Sequence, residues 1–221
     1  MNAPSPGAAP TVAAEPSISQ RIADFAVAAR YERLPQRITE RAKLHMLDVI
    51  GTALAATRFD FSHRALAGLL GLGEPGTHSL IGLKNRLPLR DAVLLNGILA
   101  HGLDYDDTHP GAIVHPSSSA FPCALGVAEK VGASGAELLS AYVLGVDIAT
   151  RVGVTAAGAM HTAGFHTTGI AGHFGCVVAA GKLLGLSAEQ LTKAQGLAGS
   201  TASALSEHRA DGAWNKRMHP G

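Results

Sequence analysis

Apolar residues recur along this chain at helical spacing, and most of them are small. Ile18 to Ala29 carries the pattern first, and Ile38, Ala42, Met46, Ile50 and Ala53 then fall on one face of a second segment. Alanine, leucine and glycine dominate, the 26 glycines stand against 5% aromatic residues, and β-branched residues are modest. Such a chain cannot build a sheet core on bulky alternating side chains, so it is expected to be all-α, with helices packed closely through small residues. At 221 residues and 47% hydrophobic, it is long enough for one core-forming domain.

Further helices are expected from His63 to Leu72 behind Ser62, from Leu89 to Leu99, and from Ser117 to Val131, where Pro122 is tolerable only near a first turn. Gly73, Glu74, Pro75 and Gly76 mark a turn, and Ser79 to Leu83 reads as a short extended piece. Ser134 with Glu137, and Ser187 with Gln190, match capping boxes that start helices running to about Thr150 and Ser203. Between them, Gly169, Gly172 and Gly175 line one side of a helix beginning near Thr168. Each glycine costs roughly 1 kcal/mol relative to alanine, so three in two turns imply tight packing or close ligand approach.

The N-terminal stretch 1–16 contains four prolines and lacks a charged start before an apolar block, so it reads as a flexible tail rather than a secretory signal. The apolar run Thr167 to Leu184 is broken by His173, Lys182 and four glycines, which argues against a bilayer span. Cys123 and Cys176 are expected as two packed thiols in buried helices. A soluble, cytoplasmic protein is the expectation. The net charge of +1 and the lack of a basic, aromatic-interleaved stripe argue against a nucleic acid partner.

Chemistry concentrates in residues 101–116, HGLDYDDTHPGAIVHP, which hold three carboxylates, three histidines and a threonine in a chain only 16% charged. A polar cluster abutting a core helix must be satisfied by partners or put to use. The loop should join two helices. A second candidate is His166, just ahead of the glycine-lined helix, where free N–H groups and the helix dipole favour a carboxylate-bearing ligand. An ordinary capping role for His166 stays open. So does a metal site built from His101, Asp104, Asp106, Asp107 and His109, although a basic Lys216 suits carboxylate binding better.

Three separated segments, AVLLNGILAHGLDYDDTHPGAIVHPS, GFHTTGIAGHFG and GAWNKRMHPG, resemble the MmgE/PrpD family over residues 18 to 221. That family includes 2-methylcitrate dehydratase, cis-aconitate decarboxylase and an iminodisuccinate epimerase, which act on small polycarboxylates without a metal or organic cofactor. The resemblance implies a helical domain over 17–221, truncated at its C-terminus, with the family's α/β lid domain absent from this chain. It also implies a homodimer formed through the helical domain.

Carried over by motif, the resemblance makes Asp104, His115 and His166 catalytic candidates and makes Thr108 and Lys216 substrate-binding candidates. His115 or His166 is then the acid or base, Asp104 orients an imidazole or a substrate hydroxyl, and Thr108 and Lys216 hold carboxylates. His109 and Asp107 stay open between site and loop roles, and Arg217 between a charge clamp and the surface. The expected function is a cofactor-independent lyase of the 2-methylcitrate dehydratase type, with decarboxylation and epimerisation as variants. The rival expectation is a non-catalytic helical fragment, or a split-enzyme subunit that needs a separate lid partner.

Overall fold

A computed structural model describes residues 15–73 and 75–221, so the proposed tail lies almost wholly outside the described residues. The described chain is helical apart from one minimal hairpin. In order it comprises α1 (Ile18–Ala28), α2 (Gln36–Ala56), α3 (Asp60–Leu72), β1 (His78–Ser79), β2 (Arg86–Leu87), α4 (Leu89–His101) and α5 (Pro116–Val131). There follow α6 (Gly135–Thr155), α7 (Ala159–Thr162), α8 (Thr167–Leu183), α9 (Ala188–Thr201), α10 (His208–Asp211) and a 3-10 turn at Trp214–Met218.

Helix starts follow local chemistry where the sequence supplies it. Ser134 accepts from the Glu137 amide while Glu137 reaches back to the Ser134 amide, and Ser187 and Gln190 repeat the exchange for α9. Elsewhere packing overrides the local signal. Helix α3 begins at Asp60 rather than His63, with Ser62 fully buried inside it and its hydroxyl donating to the Phe59 carbonyl at 2.7 Å. Pro122 lies in the second turn of α5, beyond the first turn expected of it. It deprives the Ser118 carbonyl of a helical N–H, but its neighbours Phe121, Cys123 and Ala124 are all buried, and that packing holds the helix together.

The extended piece near Ser79 is shorter than expected. It forms an antiparallel pair with His78 opposite Leu87 and Ser79 opposite Arg86. Glu129 of α5 ties it down by accepting from both the amide and the hydroxyl of Ser79, at 2.9 and 2.8 Å.

The centre of the fold is the trio α5, α6 and α8, each packed on the other two. Helix α4 then lies against α5, α2 against α4, and the pair α1 and α9 against α8. The glycine stripe accounts for how closely the trio approaches. A Cβ at Gly175 would strike the Gly145 carbonyl of α6, and one at Gly172 would strike the Ser119 side chain of α5.

The most bilayer-compatible helix by length and composition is α6, not the Thr167 to Leu184 run, and its apolarity matches its place between α5 and α8. Both cysteines are free thiols. Cys123 Sγ donates to the Cys176 carbonyl at 3.5 Å, and Cys176 Sγ to the Ser119 carbonyl at 3.4 Å.

Two glycine-to-alanine changes separate packing from helix propensity. Gly175→Ala should lower stability by about 1–3 kcal/mol, because the new methyl group meets a backbone oxygen that cannot yield. Gly196→Ala, at an exposed α9 position with open space around it, should raise stability by about 0.5–1 kcal/mol. Urea unfolding midpoints of the two variants would move in opposite directions.

Candidate active site

The polar loop is the junction between α4 and α5, as its composition implied. Its backbone is forced rather than relaxed. Asp104 has φ 58° and Ile113 has φ 53°, and a β-branched residue in the left-handed region is a strained exception. His109 holds the turn between them: its amide donates to the Val114 carbonyl at 2.9 Å, and its own carbonyl accepts from Ala112 and Ile113. Its Nδ1 also accepts from the Ala112 amide at 3.1 Å. His109 is therefore a loop-building residue with an exposed ring, outside the cluster described below.

Asp107 also has a structural task. One oxygen accepts from the Ser117 amide at 3.1 Å in the first turn of α5, where a carboxylate is favoured. The other accepts from the Ser117 hydroxyl at 2.7 Å and lies 3.2 Å from His45 Nδ1. Ser117 in turn accepts from the Tyr142 hydroxyl at 2.6 Å, and burial pushes that phenol well above its usual range. Asp107 thus fixes α5 to α6 and α2.

The remaining loop residues converge. His115 lies where α8 begins, with its amide donating to Thr168 Oγ1 at 3.1 Å. Its Nε2 is 3.8 Å from Asp104 Oδ1, and its Nδ1 is 3.2 Å from Thr108 Oγ1. Lys216 arrives from the 3-10 turn and donates to Asp104 Oδ1 at 2.6 Å. Partial burial raises the Asp104 carboxyl, but the Lys216 hydrogen bond and charge, aided by His101 and His115, bring it below the usual range. Asp104, Thr108, His115 and Lys216 therefore sit together as the motifs implied. Arg217 points away: its Nε donates to the Gly102 carbonyl at 2.8 Å and its guanidinium lies 4.7 Å from the Phe61 ring centroid, so it braces the loop rather than joining Lys216.

His166 joins them through a chain of imidazoles. It occupies the cap position of α8 but makes no side-chain capping bond, so the ordinary capping role is excluded. His101 bridges the two candidates, with its ring centroid 5.0 Å from that of His115 and 5.6 Å from that of His166. His219 follows, its Nδ1 2.9 Å from His166 Nδ1, and His208 lies 5.6 Å from the His166 ring.

Two nitrogens so close require one proton between them, one ring donating and the other accepting. Burial lowers the His166 imidazole to about 2, reinforced by His101, His219, Lys216 and His208. Burial lowers His219 as well, with His208 the next cause. Sequence reasoning missed His208 and His219 altogether and weighed His101 only as a metal ligand. No local pattern joins them, because the C-terminal turn reaches α4 only through tertiary packing, with Gly221 against Gly97.

A cleft of about 620 Å³ opens beyond His219, lined by Gly169, His173, Thr201, Leu205, Asn215 and Met218 among others. A larger groove of about 720 Å³, between Ala29–Glu32 and Val131–Glu137, shares no residue with the histidine cluster.

The neutral state of His166 sets an acid limit on stability. Between its folded value of about 2 and its unfolded value of 6.5, the unfolded chain takes up a proton that the folded chain refuses. This contribution is fully present above the unfolded value and is lost as pH falls below it, by up to about 1.4 kcal/mol per pH unit. His166→Gln should flatten the fall in urea midpoint between about pH 6.5 and 5; a slope unchanged from wild type would show that His166 is not the group responsible.

Comparison with known proteins places this arrangement in context. The chain is 30% identical over 202 residues to the human cis-aconitate decarboxylase, covering 85% of this chain and 40% of that protein. It is 27% identical over 213 residues to a cis-aconitate decarboxylase-like protein of Aspergillus oryzae, covering 93% of this chain and 44% of the other. The cis-aconitate decarboxylase of Aspergillus terreus is 25% identical over 212 residues, with 93% and 43% covered. The chain thus spans less than half the length of the curated relatives it matches. The description MmgE/PrpD N-terminal domain matches residues 20–221, from α1 through the Lys216 turn, and the chain belongs to that family.

Proposed function

We propose that this chain forms the helical part of a lyase that acts on small di- or tricarboxylates by moving a proton at a carbon beside a carboxylate. The observation that carries the reading is the convergence of His115, Asp104, Thr108 and Lys216 on one side of the imidazole chain that leads to His166. Carbon-acid chemistry needs a positioned base that can hold or release one proton, which an imidazole supplies, and cationic or hydrogen-bonding groups for the substrate's carboxylates.

In a dehydration, the base breaks a C–H bond, its electron pair forms the double bond, and hydroxide leaves as water after protonation. In a decarboxylation, a C–C bond breaks, CO₂ leaves, and the electron pair left on carbon takes a proton from the imidazolium. Both need the same proton carrier. His115 is the nearer candidate for it, because its Nε2 faces Asp104 in the more open part of the site, whereas His166 is buried and stays neutral.

The dehydratase variant was the leading expectation from the motifs. The relatives' names shift the first substrate to cis-aconitate, with 2-methylcitrate second. Asp104 and Thr108 then orient substrate hydroxyl or carboxylate groups, and Lys216 exchanges its bond to Asp104 for a substrate carboxylate. No organic cofactor enters this scheme.

In the full-length protein, His115→Ala and Asp104→Asn should each lower turnover of the accepted substrate by about two or more orders of magnitude, with the fold retained by circular dichroism. Unchanged rates in both would remove these residues from the mechanism.

One observation supports a second reading. Ligand atoms of His101, Asp104, Asp106 and His115 all lie within 4.8 Å of one another, a donor set that suits a divalent ion. Such an ion would compete with the Lys216 ammonium, which already sits 2.6 Å from Asp104 Oδ1. Dialysis of the full-length protein against a chelator separates the readings: turnover should survive, and loss of turnover restored by added divalent metal would favour the ion.

A further inference from the structure

Asp106 is not among the residues that the family motifs or the proposed chemistry assign, yet it is the most enclosed charge-bearing group of the site. Its side chain and that of His101 have no exposed surface, and they meet through Oδ2 and Nδ1 at 2.8 Å. The second oxygen, Oδ1, is buried without a hydrogen bond and lies 3.5 Å from His115 Nδ1. One carboxylate therefore stands between two imidazoles, each turning the same nitrogen toward it.

The oxygens around His115 Nδ1 determine which form of the ring they accept. Three of them surround that nitrogen: Thr108 Oγ1 at 3.2 Å, the Asp106 carbonyl at 3.4 Å and Asp106 Oδ1 at 3.5 Å. A main-chain carbonyl and a carboxylate accept only. The Thr108 hydroxyl has its own acceptor in the Asp106 carbonyl, at 3.3 Å, which leaves its oxygen able to accept in turn. A lone pair on Nδ1 would face acceptors, whereas a proton there is matched by all three. The same logic puts the proton of His101 on Nδ1, against Asp106 Oδ2, and leaves Nε2 without a partner among the described residues.

We propose that Asp106 is a positioning residue that holds both His101 and His115 as Nδ1–H tautomers, so that each keeps its Nε2 lone pair for the site. For His115 this fixes which nitrogen carries protons to and from substrate, namely the one that faces Asp104, the partner of Lys216. The His101 ring, with its Nε2 unpartnered, lies 5.6 Å from that of His166. The consequence for turnover rests on the lyase reading above, but the tautomers themselves do not.

Asparagine at this position is the informative substitution, because an amide offers one acceptor and one donor where the carboxylate offers two acceptors. Asp106→Asn can accept from only one imidazole Nδ1–H and turns an amide N–H toward the other ring, which favours the Nε2–H form there. The experiment labels the full-length protein with ¹⁵N in its histidine rings and reads the tautomers by two-bond proton–nitrogen correlation at about pH 8.5, where an ordinary imidazole is neutral.

The wild type should show both rings as Nδ1–H, and Asp106→Asn should show one of them switched. His115 in the Nε2–H form in the wild type would overturn the proposal even if the variant did not fold, as would two unswitched rings in a folded variant. On the accepted substrate, Asp106→Asn should lower kcat by about 100-fold or more while KM moves by less than about threefold, the pattern of a mis-set tautomer rather than a lost binding contact. Switched tautomers with an unchanged kcat would overturn the positioning role. A wild type that turns over no polycarboxylate would overturn the lyase reading alone.

Discussion

The close approach of α8 to α5 and α6 is the constraint on which everything else depends. It exists because Gly172 and Gly175 have no side chain where Ser119 and the Gly145 carbonyl come in. Larger residues there would push α8 outward by ångströms, and the N-terminus of α8 would move with it. That end carries Thr168, whose hydroxyl receives the His115 amide, and His166, whose ring lies beside His101. Small-residue packing in the core therefore sets distances between imidazoles in the site. The glycines cost helix propensity, and the return is positional, since it brings the motif before α8 to the motif before α5.

Electrostatics then sort residues that look alike in the sequence. Three aspartates lie within four positions, and each meets a different environment. Asp104 is more than half exposed and paired with Lys216, Asp106 is enclosed between two imidazoles, and Asp107 caps α5. The histidines divide in the same way. His109 builds a turn, His115 faces the open part of the site, and His166 is held neutral by burial among other potential cations. A strained backbone at Asp104 and Ile113 is what allows so short a loop to aim its side chains in these different directions.

Much of the fold was legible because its signals are local. The capping boxes at Ser134 and Ser187 hold atom for atom, and the glycine stripe packs as its spacing implied. What misled were places where burial overrules a local preference: Ser62 reads as a helix start but sits inside α3, and Pro122 reads as a first-turn residue but sits in the second turn of α5. In the site, motif resemblance found the residues that cluster around Asp104. It did not find His101, His208 and His219 as one array around His166, because each lies far from His166 in the sequence. A sequence records that a histidine ends one helix and another follows a 3-10 turn, but only the packing of that turn on α4 brings them into one array.

The pairing of Lys216 with Asp104 bears on how such a site receives an anion. An ion pair with the lysine side chain 24% exposed and the aspartate 57% exposed is worth at most about 1 kcal/mol, because water competes for both partners. Its opening is therefore cheap relative to what a carboxylate gains from a partly desolvated ammonium. The buried His101–Asp106 hydrogen bond is the opposite case, since neither side chain reaches solvent and removal of either partner leaves the other's buried polar atom unmatched. The site thus combines an exposed ion pair that water and anions can reach with an enclosed hydrogen bond that they cannot. The first lies on the more open side of His115, against its Nε2, and the second lies against its Nδ1.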